Sequence, residues 1–212
     1  MPTWTSKGYS GHQPARQISL ILALMSDRRL IFWLSFSHWR TSMLLNRIRA
    51  AFNSLTTTHS ELRNVTCNNF ALGSDAGTQP FFANSNSDMS SFLPLGPSGW
   101  GQIIDRPTIN VSTVDAYCSE HGIQIVDLLK SDTQGFELEV LKGGKHMLNE
   151  RRVRLIYLEI IFSKMYENLP RLDEIYNFLA DHSFDLYAFY KFYFQHNRAS
   201  WTDALFIRSE EA

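Results

Sequence analysis

The stretch that decides the fold is Leu128-Leu-Lys-Ser-Asp-Thr-Gln-Gly-Phe-Glu-Leu-Glu-Val-Leu-Lys-Gly143. Its apolar beginning predicts a strand at Ile125–Ser131, and its second half predicts a helix at Phe136–Asn149. The turn between them contains Gly135, and glycine adopts backbone conformations that other residues resist. In an open α/β sheet, ligands bind beyond the carboxyl ends of the strands. The turn therefore places Asp132 at the edge of the sheet where a binding site is expected.

Strands and helices alternate along the second half of the chain. Such alternation predicts an α/β fold with a parallel sheet and helices on both faces. The last two predicted strands, Phe184–Tyr190 and Ala204–Ile207, have no helix between them, which predicts an antiparallel pair at one edge. The other predicted elements are helices at Arg49–Leu62, Thr113–His121 (with Thr113 as its N-cap) and Leu172–His182, and strands at Asn64–Asn68, Ile109–Ser112 and Leu155–Ile161.

The composition is that of an ordinary globular protein. The 212 residues are 44% apolar and 19% charged, with a formal net charge of −1, which is typical of one domain with a substantial core. Lys and Arg are scattered, so no nucleic-acid surface is predicted. The most apolar stretch, Ile18–Phe36, is divided by charged residues into halves shorter than the roughly 20 residues that span a bilayer. We therefore expect a cytoplasmic protein without stable membrane insertion.

The two cysteines, Cys67 and Cys118, are far apart and show neither a metal-ligand spacing nor a catalytic signature. We predict that both are buried free thiols in a reducing compartment. The seven histidines show no metal spacing either, so no metal site is predicted. An α/β enzyme that uses Asp132 and Glu137 with a divalent metal is the weakest of three functional hypotheses.

Three acidic residues near the predicted sheet edge admit two interpretations each. Local pattern alone favours Asp132 as a cap of the next helix and Glu137 as a first-turn acid that the helix dipole stabilises. Against this, the two carboxylates bracket a glycine turn at the place where α/β folds bind ligands. Glu159, at the end of the next strand, is equally consistent with a solvent-exposed acid and with a residue that faces the same cleft.

The same stretch resembles the signature block of the FkbM family of S-adenosylmethionine-dependent methyltransferases. That block reads leucine-lysine-isoleucine-aspartate, two residues, glycine, an aromatic residue, glutamate, and then Glu-Val-Leu-Lys-Gly. Other segments resemble the family in the same order, from about residue 48 to the C-terminus. They are Asn69-Phe-Ala-Leu-Gly-Ser-Asp75, Ser90-Ser91, Val114-Asp-Ala-Tyr117, Glu159 and Trp201-Thr-Asp-Ala-Leu-Phe206.

The resemblance implies a Rossmann-like methyltransferase sheet, mostly parallel, with an antiparallel C-terminal edge hairpin. It also implies methyl transfer from S-adenosylmethionine to a hydroxyl of a sugar or secondary metabolite, so the partner is a small-molecule or glycan acceptor. Such a reaction needs close, in-line positioning and removal of the hydroxyl proton. The implied roles are catalytic for Asp132 (the base, or the group that orients the acceptor), Glu137 and Lys130, cofactor-binding for Asn69, Phe70, Ala71 and Asp132, and substrate-binding for Gly135 and Glu159.

The donor half of the family's site has no counterpart in the sequence. Relatives carry a glycine-rich turn, and then Glu-Pro just before the helix that here contains Phe52. Gly8-Tyr-Ser-Gly-His-Gln-Pro14 is not that turn, and no carboxylate lies between Asp27 and Glu61. The glycine turn matters because it lets the backbone approach the cofactor closely.

Two segments are therefore predicted. Residues 1–47 form a divergent or poorly ordered segment, with the N-terminal strands missing or irregular, and residues 48–212 form a methyltransferase-like domain. The alternative function that follows is a degenerate methyltransferase fold that binds no cofactor and is either a binding module or inactive.

Overall fold

A computed structural model describes residues 20–24 and 68–209. The strands are β1 (Leu20–Leu24), β2 (Ala71–Leu72), β3 (Gly77–Pro80), β4 (Ala83–Asn84), β5 (Ile103–Asp105), β6 (Thr108–Ser112), β7 (Val126–Asp132), β8 (Val153–Ile161), β9 (Phe184–Phe189), β10 (Tyr193–Gln195) and β11 (Arg198–Arg208). The helices are α1 (Val114–Glu120), α2 (Glu137–Lys142), α3 (Lys145–Asn149) and α4 (Leu172–Asp181), with a 3-10 turn at Ser87–Met89. The predicted helix Arg49–Leu62, all but the last residue of the predicted strand Asn64–Asn68, and Cys67 lie outside the described residues.

The largest sheet has the strand order β1-β7-β8-β11, and the far side of β11 carries both β9 and β10. β7 is parallel to β1 and to β8. β11 is antiparallel to β8, β9 and β10. Val126 and Leu129 of β7 and Val153 and Ile156 of β8 are fully buried, as expected for strands that other elements cover.

The prediction of a mostly parallel Rossmann-like sheet is wrong, because this chain is rich in strands and its sheets are mixed. The last two predicted strands do pair antiparallel, as β9 and β11. In the described part of the large sheet, two strand pairings are parallel and three are antiparallel. β11 explains the difference. It pairs with β8 over Leu155–Ile161 and also holds two further strands. Because strands pair with it on both sides, β11 lies inside the sheet and does not close an edge. Its alternating buried residues are typical of an antiparallel strand.

The segment between β2 and β6 forms two small sheets of its own. β6 is parallel to β2 and antiparallel to β3, and β4 pairs with β5. In this segment Phe81 packs edge-on against Phe92, with ring centroids 5.2 Å apart, and Phe92 packs on Phe136 at 4.9 Å. Because Phe136 directly follows the turn after β7, this apolar contact fixes the segment against that turn.

Two local predictions concern α1 and the helix that follows β7. Thr113 caps α1 as predicted, since its Oγ1 accepts a hydrogen bond from the Ala116 N–H at 3.0 Å, and Cys118 is the predicted buried free thiol. The helix predicted at Phe136–Asn149 is instead two short helices, α2 and α3, separated by glycines. A Cβ atom at Gly143 would collide with the backbone carbonyl oxygen of Gly73, so this close approach requires glycine.

Candidate functional site

Asp132 is the last residue of β7 and is buried. Leu24, the last residue of the parallel strand β1, lies opposite it in register, so the carboxyl ends of the two strands meet at this point. The Asp132 carboxylate accepts a hydrogen bond from Lys130 Nζ at 3.4 Å through Oδ2, and from Gln134 Nε2 at 3.1 Å through Oδ1. Lys130 and Asp132 share one face of β7 because alternate residues of a strand point the same way.

Glu159 lies on β8, two residues before its end, and only 3% of the residue is exposed. The interpretation of Glu159 as an exposed strand-end acid is therefore wrong. Its Oε2 accepts a hydrogen bond from Gln134 Nε2 at 2.7 Å. The amide nitrogen that binds Asp132 thus also binds Glu159, and the two carboxylates face one common donor.

Gln134 belongs to this site, although no sequence pattern predicted a role for it. It is 4% exposed and has a φ of +55°, in the left-handed region that side chains adopt only rarely. Its Oε1 accepts from the Tyr166 hydroxyl at 2.9 Å, and its backbone carbonyl accepts from Ser91 Oγ at 2.8 Å. A glutamine next to the turn glycine was the only signal in the sequence, and that signal is weak.

Glu137 faces the interior of the turn. It is 1% exposed, and its Oε1 accepts from the Thr133 backbone N–H at 2.6 Å and from Thr133 Oγ1 at 3.0 Å. The pKa of Glu137 is raised from 4.5 to about 7, mainly because burial disfavours the charged form. The Asp132 charge contributes to the rise, and hydrogen bonds from the Glu137 and Thr133 backbone and from the Thr133 hydroxyl oppose it. These contacts fix the turn to the beginning of α2.

The capping interpretation of Asp132 is also wrong. α2 begins after Phe136 without any side-chain cap, and the carboxylate that binds a turn N–H is that of Glu137.

Gly135 has a φ of +94°, and a Cβ atom there would lie 2.7 Å from Leu169 Cδ1 and 3.0 Å from Leu93 Cδ1. Only glycine combines this backbone conformation with such close neighbours. A cavity of about 530 Å³ opens beside Gly135, and its lining includes Phe136, Lys142 and Leu169. Asp132 and Glu159 are not among the residues that line this cavity.

Three of the four residues that the resemblance assigns to the cofactor lie around β2, and the fourth, Asp132, ends β7. Asn69 is exposed just before the strand, and Ala71 begins it, opposite Val111 of β6. Phe70 packs against Tyr117 of α1, with ring centroids 6.0 Å apart. The structure thus joins Lys130, Asp132 and Glu159 in one hydrogen-bonded group and places Asn69–Ala71 beside β6 and α1.

Two further observations concern residues 20–24 and 68–209 only. In this part of the chain, no three His, Cys, Asp or Glu side chains are grouped so that they could hold a metal ion. No helix in the same part is long and apolar enough to cross a membrane.

Lys130, Asp132, Gln134 and Glu159, the strand-end group, are joined by hydrogen bonds. S-adenosylmethionine carries a positively charged sulfonium, and the chemistry of the strand-end group fits that charge. Among the described residues, the buried carboxylates of Asp132 and Glu159 lie together, and the Lys130 ammonium lies beside Asp132. A partly desolvated anionic site of this kind attracts a cation more strongly than the same charges do in water.

Comparison with known proteins gives two matches. The family model of the methyltransferase FkbM domain matches residues 34–186. The chain is 36% identical over 89 residues to the 2-O-methyltransferase NoeI of Sinorhizobium fredii. This second match covers 42% of the chain and 35% of the relative, so it spans about a third of that relative's length. No solved structure matches the chain.

Proposed function

We propose, because the chain belongs to the FkbM methyltransferase domain family, that it transfers a methyl group from S-adenosylmethionine to a hydroxyl of a sugar or secondary metabolite. The observation that carries this proposal is the buried pair of Asp132 and Glu159 at the carboxyl ends of β7 and β8. The name of the NoeI relative, a 2-O-methyltransferase, supports oxygen as the acceptor atom. The scattered basic residues favour a small molecule or glycan over nucleic acid as the acceptor.

Methyl transfer to a hydroxyl is an in-line displacement. The bond from sulfur to the methyl carbon breaks while the bond from oxygen to carbon forms, and the hydroxyl proton must leave. Asp132 is the proposed base for that proton, because it is the carboxylate at the end of the strand where ligands of α/β folds bind. Lys130, 3.4 Å from Asp132 Oδ2, balances its charge. Glu137 has an indirect role in this proposal, because it fixes the conformation of the turn through its hydrogen bonds with Thr133.

S-adenosylmethionine, when bound, supplies the activated methyl group. Asp132 and Glu159 offer its sulfonium a negative environment. Asn69, Phe70 and Ala71 are proposed for the adenine side, on the strength of the family resemblance. Gly135, beside the cavity of about 530 Å³, is proposed for the acceptor side together with Glu159.

Calorimetric titration of the full chain with S-adenosylmethionine tests the proposal. We expect heat with a dissociation constant on the order of micromolar, about −8 kcal/mol, followed by transfer of a labelled methyl group to members of a panel of sugar and hydroxylated acceptors. S-adenosylhomocysteine, which lacks the methyl group, is the control for transfer. Absence of binding heat at millimolar ligand contradicts the proposal.

The second candidate function is a degenerate member that keeps the scaffold without the cofactor. One observation favours it: the chain has no glycine between Gly11 and Gly73, so no glycine turn follows β1. A side chain in such a turn keeps the backbone away from a cofactor. The calorimetric titration separates the two candidates, because only the first predicts heat.

A further inference from the structure

The amide of Gln134 lies at the centre of four structural elements. It follows β7, binds the carboxylate of Glu159 on β8, and accepts a hydrogen bond from Tyr166 in the loop after β8. The backbone carbonyl of the same residue receives Ser91 Oγ from the segment between β4 and β5. Ser91 is fully buried, and Tyr166 is 3% exposed. A side chain with so many buried partners has little freedom to move.

The chemistry of the amide suits this place and that of other side chains does not. Its NH₂ group has two hydrogens, and there are two carboxylates to receive them, with Nε2 3.1 Å from Asp132 Oδ1 and 2.7 Å from Glu159 Oε2. Its carbonyl oxygen accepts the Tyr166 hydroxyl hydrogen at 2.9 Å. An ionised Glu at this position donates nothing, and Met keeps the length of the side chain but offers no hydrogen bond.

The backbone conformation of Gln134 also indicates that its side chain is held in one place. Gln134 is held at a φ of +55° next to Gly135, and non-glycine residues in that region cluster at functional sites because the conformation is strained. Strain of this kind persists only where the surroundings fix it. Here it directs the amide between the two carboxylates.

We propose, building on the methyltransferase function above, that Gln134 is a positioning residue whose amide holds Asp132 and Glu159 in one fixed arrangement and aims Asp132 at the acceptor hydroxyl. It touches neither reacting atom. Its contribution is the orientation of the base, which in-line transfer requires within a fraction of an ångström. Within residues 20–24 and 68–209, charged or titratable groups near these carboxylates include Lys130, Glu137, Tyr157, Tyr166 and Asp203.

Gln134→Met and Gln134→Glu are the test variants, and Gln124→Glu, at an exposed position in the loop before β7, is the matched control. We expect both variants at position 134 to lower kcat about 100-fold, the usual effect of a displacement of about 1 Å, with KM little changed. The acidic limb of the pH–rate profile moves to higher pH, because a carboxylate without its donor takes up a proton more readily. Unchanged kcat and pH profile in folded variants overturn the proposal.

Ser91→Ala separates positioning from folding. It removes the hydrogen bond to the Gln134 carbonyl and leaves the amide intact. We expect a lower Tm with an unchanged pH–rate profile. If Ser91→Ala reproduces the kinetic defect of Gln134→Met, the role is structural and the proposal fails.

The thermal stability of the variants tests the role of Gln134 without any measurement of activity, so the role can be tested separately from the proposed function. A hydrogen bond to an ionised carboxylate is stronger than one to a protonated carboxyl group, so the Tm deficit of Gln134→Met is larger at neutral pH than at a pH acidic enough (about 3) to protonate carboxylates. A deficit that does not change with pH contradicts the positioning role. If wild-type protein neither binds S-adenosylmethionine nor transfers methyl groups while the pH-dependent deficit is present, the proposed function fails and the carboxylate bridge stands.

Discussion

The turn after β7 has two sides that use the same residue types for different tasks. On one side Lys130, Asp132 and Gln134 face Glu159 and form the strand-end group. On the other side Thr133 binds Glu137, and Ser131 Oγ lies 3.3 Å from Thr133 Oγ1. Alternate residues of a strand point to opposite faces, so residues 130 and 132 separate from residues 131 and 133. Two acids of one turn, Asp132 and Glu137, therefore have different tasks.

Replacement of the acid on the strand-end side has the largest expected effect. Asp132→Asn removes the proposed base and keeps an oxygen that accepts from Gln134. We expect methyl transfer to fall by about 10²- to 10⁴-fold, the usual contribution of a general base, while Tm changes little. Asp127→Asn is the matched control, since Asp127 lies on the same strand and pairs with Arg154 at 2.6 Å. A folded Asp132→Asn protein with wild-type kcat would remove Asp132 from the chemistry.

Replacement of Glu137, the acid on the other side of the turn, changes how the stability of the protein depends on pH. The folded-state pKa of Glu137 is about 7, above its usual 4.5, so the folded state binds the proton more tightly. Stability is then greatest below pH 4.5 and falls as pH rises toward 7. Glu137→Gln keeps an acceptor for Thr133 and abolishes this titration. We expect the wild type to lose up to about 3 kcal/mol across the window relative to the variant, as measured by urea denaturation at several pH values.

The control for this measurement is Glu139→Gln. Glu139 lies on the same helix, α2, but is half-buried and pairs with Lys142 at 2.6 Å, so its replacement should change stability by less than about 1 kcal/mol. If the stability of Glu137→Gln depends on pH as steeply as that of wild type, Glu137 is not the group that titrates.

The difference between the two sides of the turn also marks the limit of what sequence can predict. The apolar runs and the Asp132–Gly135 spacing sufficed to predict β7, β8 and the turn, since these depend on local pattern. That Glu159 is buried depends on the long-range pairing with β11, where Asp203 lies opposite it, and no local pattern encodes that contact. Gln134 was missed for a related reason. An amide between two strand ends is recognised as a bridge only once both carboxylates have been placed.

The error in the predicted fold class also arises from long-range strand pairing. Strand and helix alternation between residues 108 and 161 favours a parallel sheet, and β7 is indeed parallel to both its neighbours. The eleven residues of β11 and the short strand β10 lie in a polar and aromatic segment whose pairing partners cannot be read from periodicity. The burial of Ala204 and Phe206 in the core fixes which face of β11 points inward, and strand propensity alone does not specify the partners of the strand.

Replacement of Thr133 has the smallest expected effect, and it tests most directly whether the two sides of the turn have separate roles. Thr133→Val keeps the side-chain shape and the backbone N–H bond to Glu137 but removes the hydroxyl that donates to Glu137 Oε1 at 3.0 Å. We expect a loss of about 1 kcal/mol of unfolding free energy near pH 8, and a smaller loss near pH 5, because a hydrogen bond to an ionised carboxylate is stronger than one to its neutral form. Thr133→Ser, which retains the hydroxyl, is the control. Since Thr133 neither lines the cavity nor binds Asp132 or Glu159, kcat should stay within about twofold of wild type. A large fall in kcat with little loss of stability would show that the two sides act as one unit.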